Sequence, residues 1–342
     1  MFSVSKVLNG DWSQARISDE CAARVQAAAR DLGYAANFHA QMLSRGHTHT
    51  IGLVLQEPRY NDPEFAAALI LGIEAQLALH QHDLLIIGRR GDATEIERGL
   101  KCLRQQRVDA LIVPGCLGDM IWTDDFEAAE GVVVLAVEKP GSVHPAVDVD
   151  APPGIEAAVA HLHDLGHRRI MWFTPEDGGF GGGPAIAARS KAFAAATAAR
   201  GIVAMEVAFP MPDNLRSNDQ RSELSRRRFA DLLRSELRCS AVMCYNDVTA
   251  IGACRAAYDH DLRVPHDLSI IGFDDFRGQL SVPRLTTISH ELAGIGARAA
   301  ELAMQMVQDA TMHRRSRGQV ERIPARLVVR ESTAPPRSTG GR

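Results

Sequence analysis

Thr50-Ile51-Gly52-Leu53-Val54-Leu55 is a short, largely apolar run, and it opens a repeating pattern. Runs of this kind, bounded by polar residues, are strands covered on both faces, as in parallel sheets. After it the spacing predicts a helix from Glu64 to His80, a strand over Asp83-Leu84-Leu85-Ile86-Ile87, a helix from Thr94 to Arg107 and a strand over Ala110-Leu111-Ile112-Val113. The alternation continues with a strand over 132–137, a helix over 153–165, a strand over 169–173, a helix over 185–200 and a strand over 203–207. Beyond an Arg-rich helix come a strand over 241–244, a helix over 247–259 and a strand over 268–273. Strands alternating with amphipathic helices give an α/β protein with parallel sheets sandwiched by helices. So many units exceed one comfortable open sheet, and Ala146-Val147-Asp148-Val149-Asp150-Ala151-Pro152-Pro153-Gly154 is the natural crossover into a second.

With 342 residues, 46% of them hydrophobic and 23% charged, the chain has material for two real cores and a small appendage. A net charge of −4 excludes a broadly cationic protein, so any contact with nucleic acid must be local. The six cysteines, at 21, 102, 116, 239, 244 and 254, lack C-x-x-C spacing and fit reduced thiols better than disulfides or a zinc site. The sequence opens with no charged-then-apolar leader and carries no apolar run of membrane-spanning length. A cytoplasmic protein without membrane contact is therefore expected.

Ahead of Thr50 lies a different kind of segment. Val4, Val7 and Leu8 line one face of a short helix, with Ser3, Lys6 and Asn9 opposite. Ser18 is placed to cap a second helix that begins with Asp19 and Glu20 and runs to about Leu32, stopping at Gly33. Its inward face is expected to be Cys21, Val25, Ala28, Ala29 and Leu32.

Val4-Ser5-Lys6-Val7-Leu8-Asn9-Gly10, Arg24-Val25, and Leu32-Gly33-Tyr34 with Asn37 resemble the headpiece of the lactose-repressor (LacI/GalR) family of bacterial transcription regulators. The resemblance extends through the body. It is carried by Thr50-Ile51-Gly52-Leu53-Val54, Arg107-Val108-Asp109-Ala110-Leu111-Ile112, Leu165-Gly166-His167-Arg168-Arg169-Ile170, Tyr245-Asn246-Asp247, and the run from Arg263-Val264-Pro265 to Gly272-Phe273-Asp274-Asp275. Pro283-Arg284-Leu285-Thr286-Thr287-Ile288 and Leu327-Val328-Val329-Arg330-Glu331-Ser332-Thr333 complete it.

The resemblance implies a two-lobed, periplasmic-binding-protein-like (type I) effector domain over 50–333, a partial all-α helix-turn-helix headpiece over 1–35, and a hinge over 36–49. Three crossings between lobes are implied, with lobe 1 at about 50–150 and 278–308 and lobe 2 at about 151–277 and 318–333. Ahead of Met1 the family places a further helix and turn; either Met1 is not the true start or the reading head has lost that half. By family position Phe2, Ser3 and Lys6 would face operator DNA in the major groove and Asn9 and Asn37 would lie near the duplex. Leu43 would wedge into the minor groove, unstacking a base step. Lys6 fits equally a solvated charge on a frayed helix, and the segment around Leu43 an ordinary amphipathic linker. The head itself is weakly charged: Lys6, Arg16, Arg24, Arg30 and Arg45 barely outnumber Asp11, Asp19, Glu20 and Asp31.

Ligands of open α/β sheets bind beyond the carboxyl ends of the strands. Glu138, Asn246 and Asp274 fall at such ends, and Arg189 falls early in a helix that follows one. Carboxylate, carboxamide and guanidinium grip vicinal hydroxyls through paired acceptors or donors. By resemblance Glu138, Arg189, Asn246 and Asp274 would hold a small-molecule effector, a sugar or sugar derivative. Asn246 and Asp247 fit helix capping just as well. The stretch Gly178-Gly179-Phe180-Gly181-Gly182-Gly183-Pro184 lacks the endings of phosphate and dinucleotide loops. It reads as a flexible loop at the cleft mouth, where Phe180 could stack on a sugar face.

His161, His163 and His167 suggest a metal, yet nothing of suitable spacing completes a ligand set, and neither a metal nor a cofactor is expected. No hydrolase elbow or zinc-protease helix is present, so an enzyme is not expected. The tail 334–342 reads as disordered and has no leucine heptads that would tie dimers into a tetramer, and the resemblance implies a homodimer. The resemblance thus implies a repressor whose operator affinity is set by an effector. The alternative is a cytoplasmic sugar-binding protein that no longer reads DNA.

Overall fold

The computed structural model describes residues 2–8, 12–13, 15–34, 46–55, 63–88, 94–115, 124–137, 141–176, 183–212, 215, 217–235 and 239–337. They form two compact units, Met1–His49 and Thr50–Arg342. In the first, helices α1 (Phe2–Leu8) and α2 (Asp19–Asp31) pack together. The Ser18 hydroxyl accepts from the Cys21 amide at 3.3 Å, as its N-cap position requires. The inward face differs from the expected one. Val7 and Ala22 are the buried pair, at 1% and 2% exposure, whereas Cys21 and Ala28 are exposed and Leu32 is 82% exposed. Among the described residues the short helix α1 covers it, and α2 buries a narrower stripe, rotated by about one position.

Among the described residues of the second unit, twelve strands form two six-stranded sheets. The first is ordered β11 (Val320–Pro324), β5 (Ala146–Asp150), β4 (Val132–Ala136), β3 (Ala110–Pro114), β1 (Thr50–Val54), β2 (Asp83–Ile87). The second is ordered β12 (Arg326–Val328), β10 (Thr286–Ser289), β9 (Ser269–Asp274), β8 (Ala241–Cys244), β6 (Arg169–Pro175), β7 (Val203–Phe209). Every pairing is parallel except β10 with β12. Helices α3 (Pro63–Leu79), α4 (Glu95–Arg104), α5 (Asp124–Glu127), α10 (Leu292–Gln308) and α11 (Ala310–Ser316) belong with the first sheet. Helices α6 (Ala151–Asp164), α7 (Gly183–Ala198), α8 (Asn218–Arg234) and α9 (Asp247–Asp259) belong with the second.

The chain changes lobes at Asp150–Ala151, between Ser289 and Leu292, and at Ala325. Two expected boundaries are thereby corrected. Residues 278–308 do not all return to the first lobe, because Thr286–Ser289 pairs with β9 in the second sheet and only α10 crosses back. Nor does 318–333 lie wholly in the second lobe: Val320–Pro324 pairs in parallel with Ala146–Asp150 in the first. A single linking residue, Ala325, whose amide donates to the Asp150 carbonyl at 2.9 Å, suffices to switch sheets. The tail is also corrected in part. The Ala334 amide donates to Ser269 Oγ at 3.1 Å, its carbonyl accepts from the Ser269 hydroxyl at 3.0 Å, and Arg337 pairs with Asp267 at 2.7 Å. Residues 338–342 lie outside the described residues.

Helices α3 and α10 meet backbone to backbone over the first core. A Cβ on Gly72 would sit 1.8 Å from the Ala293 carbonyl oxygen, and one on Gly296 would sit 2.5 Å from that of Leu69. The approach lets Leu69, Ile73 and Leu77 interlock with Ile295, Ala299 and Met306. Gly72→Ala should therefore lower the urea midpoint by about 1–3 kcal/mol of stability or more. Gly294→Ala, where the new Cβ would meet nothing nearer than 3.8 Å, should stay within about 1 kcal/mol of native. Equal stability of the two variants would contradict the close packing.

Candidate functional site

The carboxyl ends of the strands carry the chemistry. Beyond β9 the backbone is strained, with Asp274 at φ +104° and Asp275 at φ +62°, and Val137 at the end of β4 stands at φ +73°. Positive φ at non-glycine residues, above all a β-branched one, persists only where surrounding structure enforces it.

Arg189, on α7, is 7% exposed and reaches across the ends of β8 and β9. Its Nη1 donates to the Tyr245 carbonyl at 2.9 Å and stands 3.6 Å from Asp274 Oδ1. Its Cζ lies 3.6 Å from the Phe273 ring centroid and 4.8 Å from that of Tyr245. Two aromatic faces thus hold the cation flat, and a carboxylate neutralises it. Of the expected effector residues, Arg189 and Asp274 are brought together. Asn246 follows Tyr245, whose carbonyl holds Arg189, but its Oδ1 accepts from the Thr249 amide at 2.9 Å and caps α9. Glu138 and Phe180 lie outside the described residues.

Asp247 serves the architecture. It is 2% exposed, accepts from the Thr287 hydroxyl at 2.5 Å and from the Phe276 amide at 3.1 Å, and is pushed up to about 6, chiefly by burial. Asp275 pairs with Arg330 at 2.7 Å. The helix-end histidines are likewise structural: His161 Nε2 meets the Thr333 hydroxyl, and His167 bridges Ser240 and the Ala334 carbonyl. Since a carbonyl only accepts, His167 Nε2 carries the proton. Among the described residues no cluster of metal-binding side chains occurs.

Of the expected DNA contacts, Phe2, Ser3 and Lys6 lie on α1, with Lys6 half-buried; the side chains of Phe2 and Ser3 lie outside the described residues, as do Asn9, Asn37 and Leu43.

Sequence reasoning missed His290. It follows β10 directly, just before the chain crosses to the first lobe, and is buried with Nε2 4.0 Å from Asp274 Oδ1, that nitrogen having no hydrogen-bond partner among the described residues. Phe273 and Phe276 pack against its ring. The one available signal was its place at a strand's carboxyl end.

The two sheets present these ends to each other, since Arg277, just past β9, bonds Glu64 at the start of α3, the helix that follows β1. Paired α/β lobes joined at their strand ends define a periplasmic-binding-protein-like fold. Residues 159–333 match the family model described as a periplasmic binding protein-like domain. The chain is 31% identical over 311 residues to the HTH-type transcriptional regulator GalS of Salmonella typhimurium, covering 89% of this chain and 85% of that one. The ribose operon repressor of Escherichia coli is 27% identical, with 91% and 90% covered. In fold it resembles a lac repressor dimer bound to operator and the anti-inducer ONPF (TM-score 0.73, 21% identity, 97% and 95% covered). It also resembles an Enterococcus faecium LacI-family regulator with bound ribose (TM-score 0.64, 23% identity, 84% and 99% covered). The chain belongs to the LacI/GalR family of transcription regulators.

Burial pushes His290 down to about 3 from the ordinary 6.5, and the Arg189 cation adds to the effect. The folded chain therefore resists protonation there. This contribution to stability is intact above pH 6.5 and is lost progressively as pH falls toward 3. Between pH 6.5 and 5 the loss amounts to about 2 kcal/mol. In urea titrations across that window His290→Gln should flatten the acid side by a comparable amount; an unchanged pH slope would contradict the burial of a neutral imidazole.

Proposed function

We propose that this chain is a cytoplasmic, homodimeric transcriptional repressor that binds operator DNA through its N-terminal unit and a sugar or sugar derivative in the interlobe cleft. The observation that carries the effector site is the buried Arg189–Asp274 pair laid over Phe273 and Tyr245. A fixed guanidinium supplies donors and the adjacent carboxylate supplies acceptors, the complement of two neighbouring hydroxyls, while aromatic faces suit the C–H face of a pyranose or furanose. Asn246 contributes its amide NH₂ while its carbonyl remains on the helix cap, and Glu138 and Phe180, named by the family resemblance, complete the proposed set. On the DNA side Phe2, Ser3, Lys6 and Asn9 read or grip the duplex and Asn37 and Leu43 engage it through the hinge.

Coupling requires that the sugar favour one lobe arrangement over the other, since a ligand with equal affinity for both shifts nothing. Relatives bearing names such as ribose operon repressor, and a related fold with ribose bound, support pentoses and hexoses as the first compounds to try. In calorimetric titration with D-ribose and D-galactose, Arg189→Ala should weaken the sugar that binds by roughly tenfold to a hundredfold, the range for hydrogen bonds to a charged group. A variant that is folded by circular dichroism and binds that sugar as tightly as native would sink the assignment.

A further inference from the structure

The loop that begins at the proposed effector carboxylate touches the other lobe midway and returns. Asp274 closes β9, and Asp275, Phe276, Arg277 and Gly278 follow it without interruption. On the second-lobe side the loop is fastened at three points. The Phe276 amide donates to Asp247, Asp275 pairs with Arg330 at 2.7 Å, and the Gly278 carbonyl accepts from the Leu285 amide at 2.7 Å. Gly278 leaves no slack, since a Cβ there would meet Leu285 at 3.2 Å. Held so, the loop moves with the second lobe.

Its middle reaches the first. The Phe276 side chain packs on the first core while its ring also touches that of His290, 5.4 Å between centroids. Arg277 Nε donates to Glu64 Oε1 at 2.7 Å, and its Nη2 pairs with the same oxygen. Both partners are about one-third exposed, so the ion pair is weak enough to break and still strong enough to bias an equilibrium between close alternatives.

We propose that Phe276 and Arg277 form an interlobe latch that holds the lobes together before any effector binds. Two residues separate Asp274, at the proposed sugar site, from Arg277, so a ligand that shifts the Asp274 backbone shifts the latch with it. The holding function stands on the geometry alone, and the coupling to ligand rests on the functional reading above.

A charge-swap cycle tests it on the full chain. Small-angle X-ray scattering without sugar should give a larger radius of gyration for Arg277→Glu and for Glu64→Arg than for native. The double variant, which restores opposite charges, should return to the native value. At about 1 M salt, where the Debye length falls to roughly 3 Å, native should move toward the single variants. Single variants that are folded by circular dichroism and scatter as native does, or a double variant that fails to restore the native radius, would overturn the latch. In parallel, D-ribose and D-galactose are titrated into all four proteins. A sugar that binds native should bind each single variant roughly two- to tenfold more weakly, with recovery in the double; equal affinity in all four would overturn the coupling. If neither sugar binds native, the effector reading suffers while the scattering result still decides the latch.

Discussion

A single buried carboxylate holds the binding end of the second lobe together. Asp247 stands at the amino end of α9, where the helix dipole favours negative charge, and accepts from the hydroxyl of Thr287 on β10 and the amide of Phe276 past β9. Three neighbouring strand ends are fixed relative to one another by that one group. The geometry demands Gly272, since a Cβ there would lie 2.3 Å from Asp247 Oδ1. Everything proposed to act on a ligand hangs from this knot: the Tyr245 carbonyl that holds Arg189, Asp274 on β9, and His290 beyond β10. Burial opposes its charge and hydrogen bonds support it, which places its carboxyl near 6, well above the ordinary range.

Much of this was legible in the sequence, and the exceptions have physical causes. The continuous apolar strands and their alternation with helices gave the α/β class, because parallel strands covered on both faces cannot hide their composition. Thr286–Ser289 was harder to place. All four residues are buried, but three of them are hydroxyl-bearing, and only the partners of those hydroxyls, Asp247 for Thr287 and Thr333 for Thr286, make burial affordable. The tail misled for the opposite reason: prolines, serine and glycines look unstructured, yet the anchoring of Ala334 uses backbone groups that composition does not register. Arg189 and Asp274 could be named from resemblance. Their stacking against Phe273 and Tyr245 could not, because it depends on how α7 approaches β8 and β9 in space. His290 escaped altogether, since a lone histidine after a strand carries no spacing signal.

The site is poised between its two lobes. Its charged members face partners on their own lobe, while Phe276 and Arg277 reach the other. On the proposed function, a ligand held by Arg189 and Asp274 would change the surroundings of a loop already in contact with the first lobe, and a change of lobe arrangement is a discrete, packed transition of the kind that carries coupling between sites. Close packing of α3 against α10 makes the first lobe respond as a body.

The central claim, that a sugar-type ligand at this cleft controls recognition of a defined DNA sequence, is tested most directly by selection. The purified full chain would be offered random duplexes, with and without D-ribose or D-galactose, and the captured DNA sequenced. Enrichment of one two-fold-symmetric sequence, with recovery that changes when a sugar is present, is the predicted result. Captured DNA no different from the input, in the presence of a sugar that demonstrably binds, would contradict the account and leave a sugar-binding protein without operator recognition.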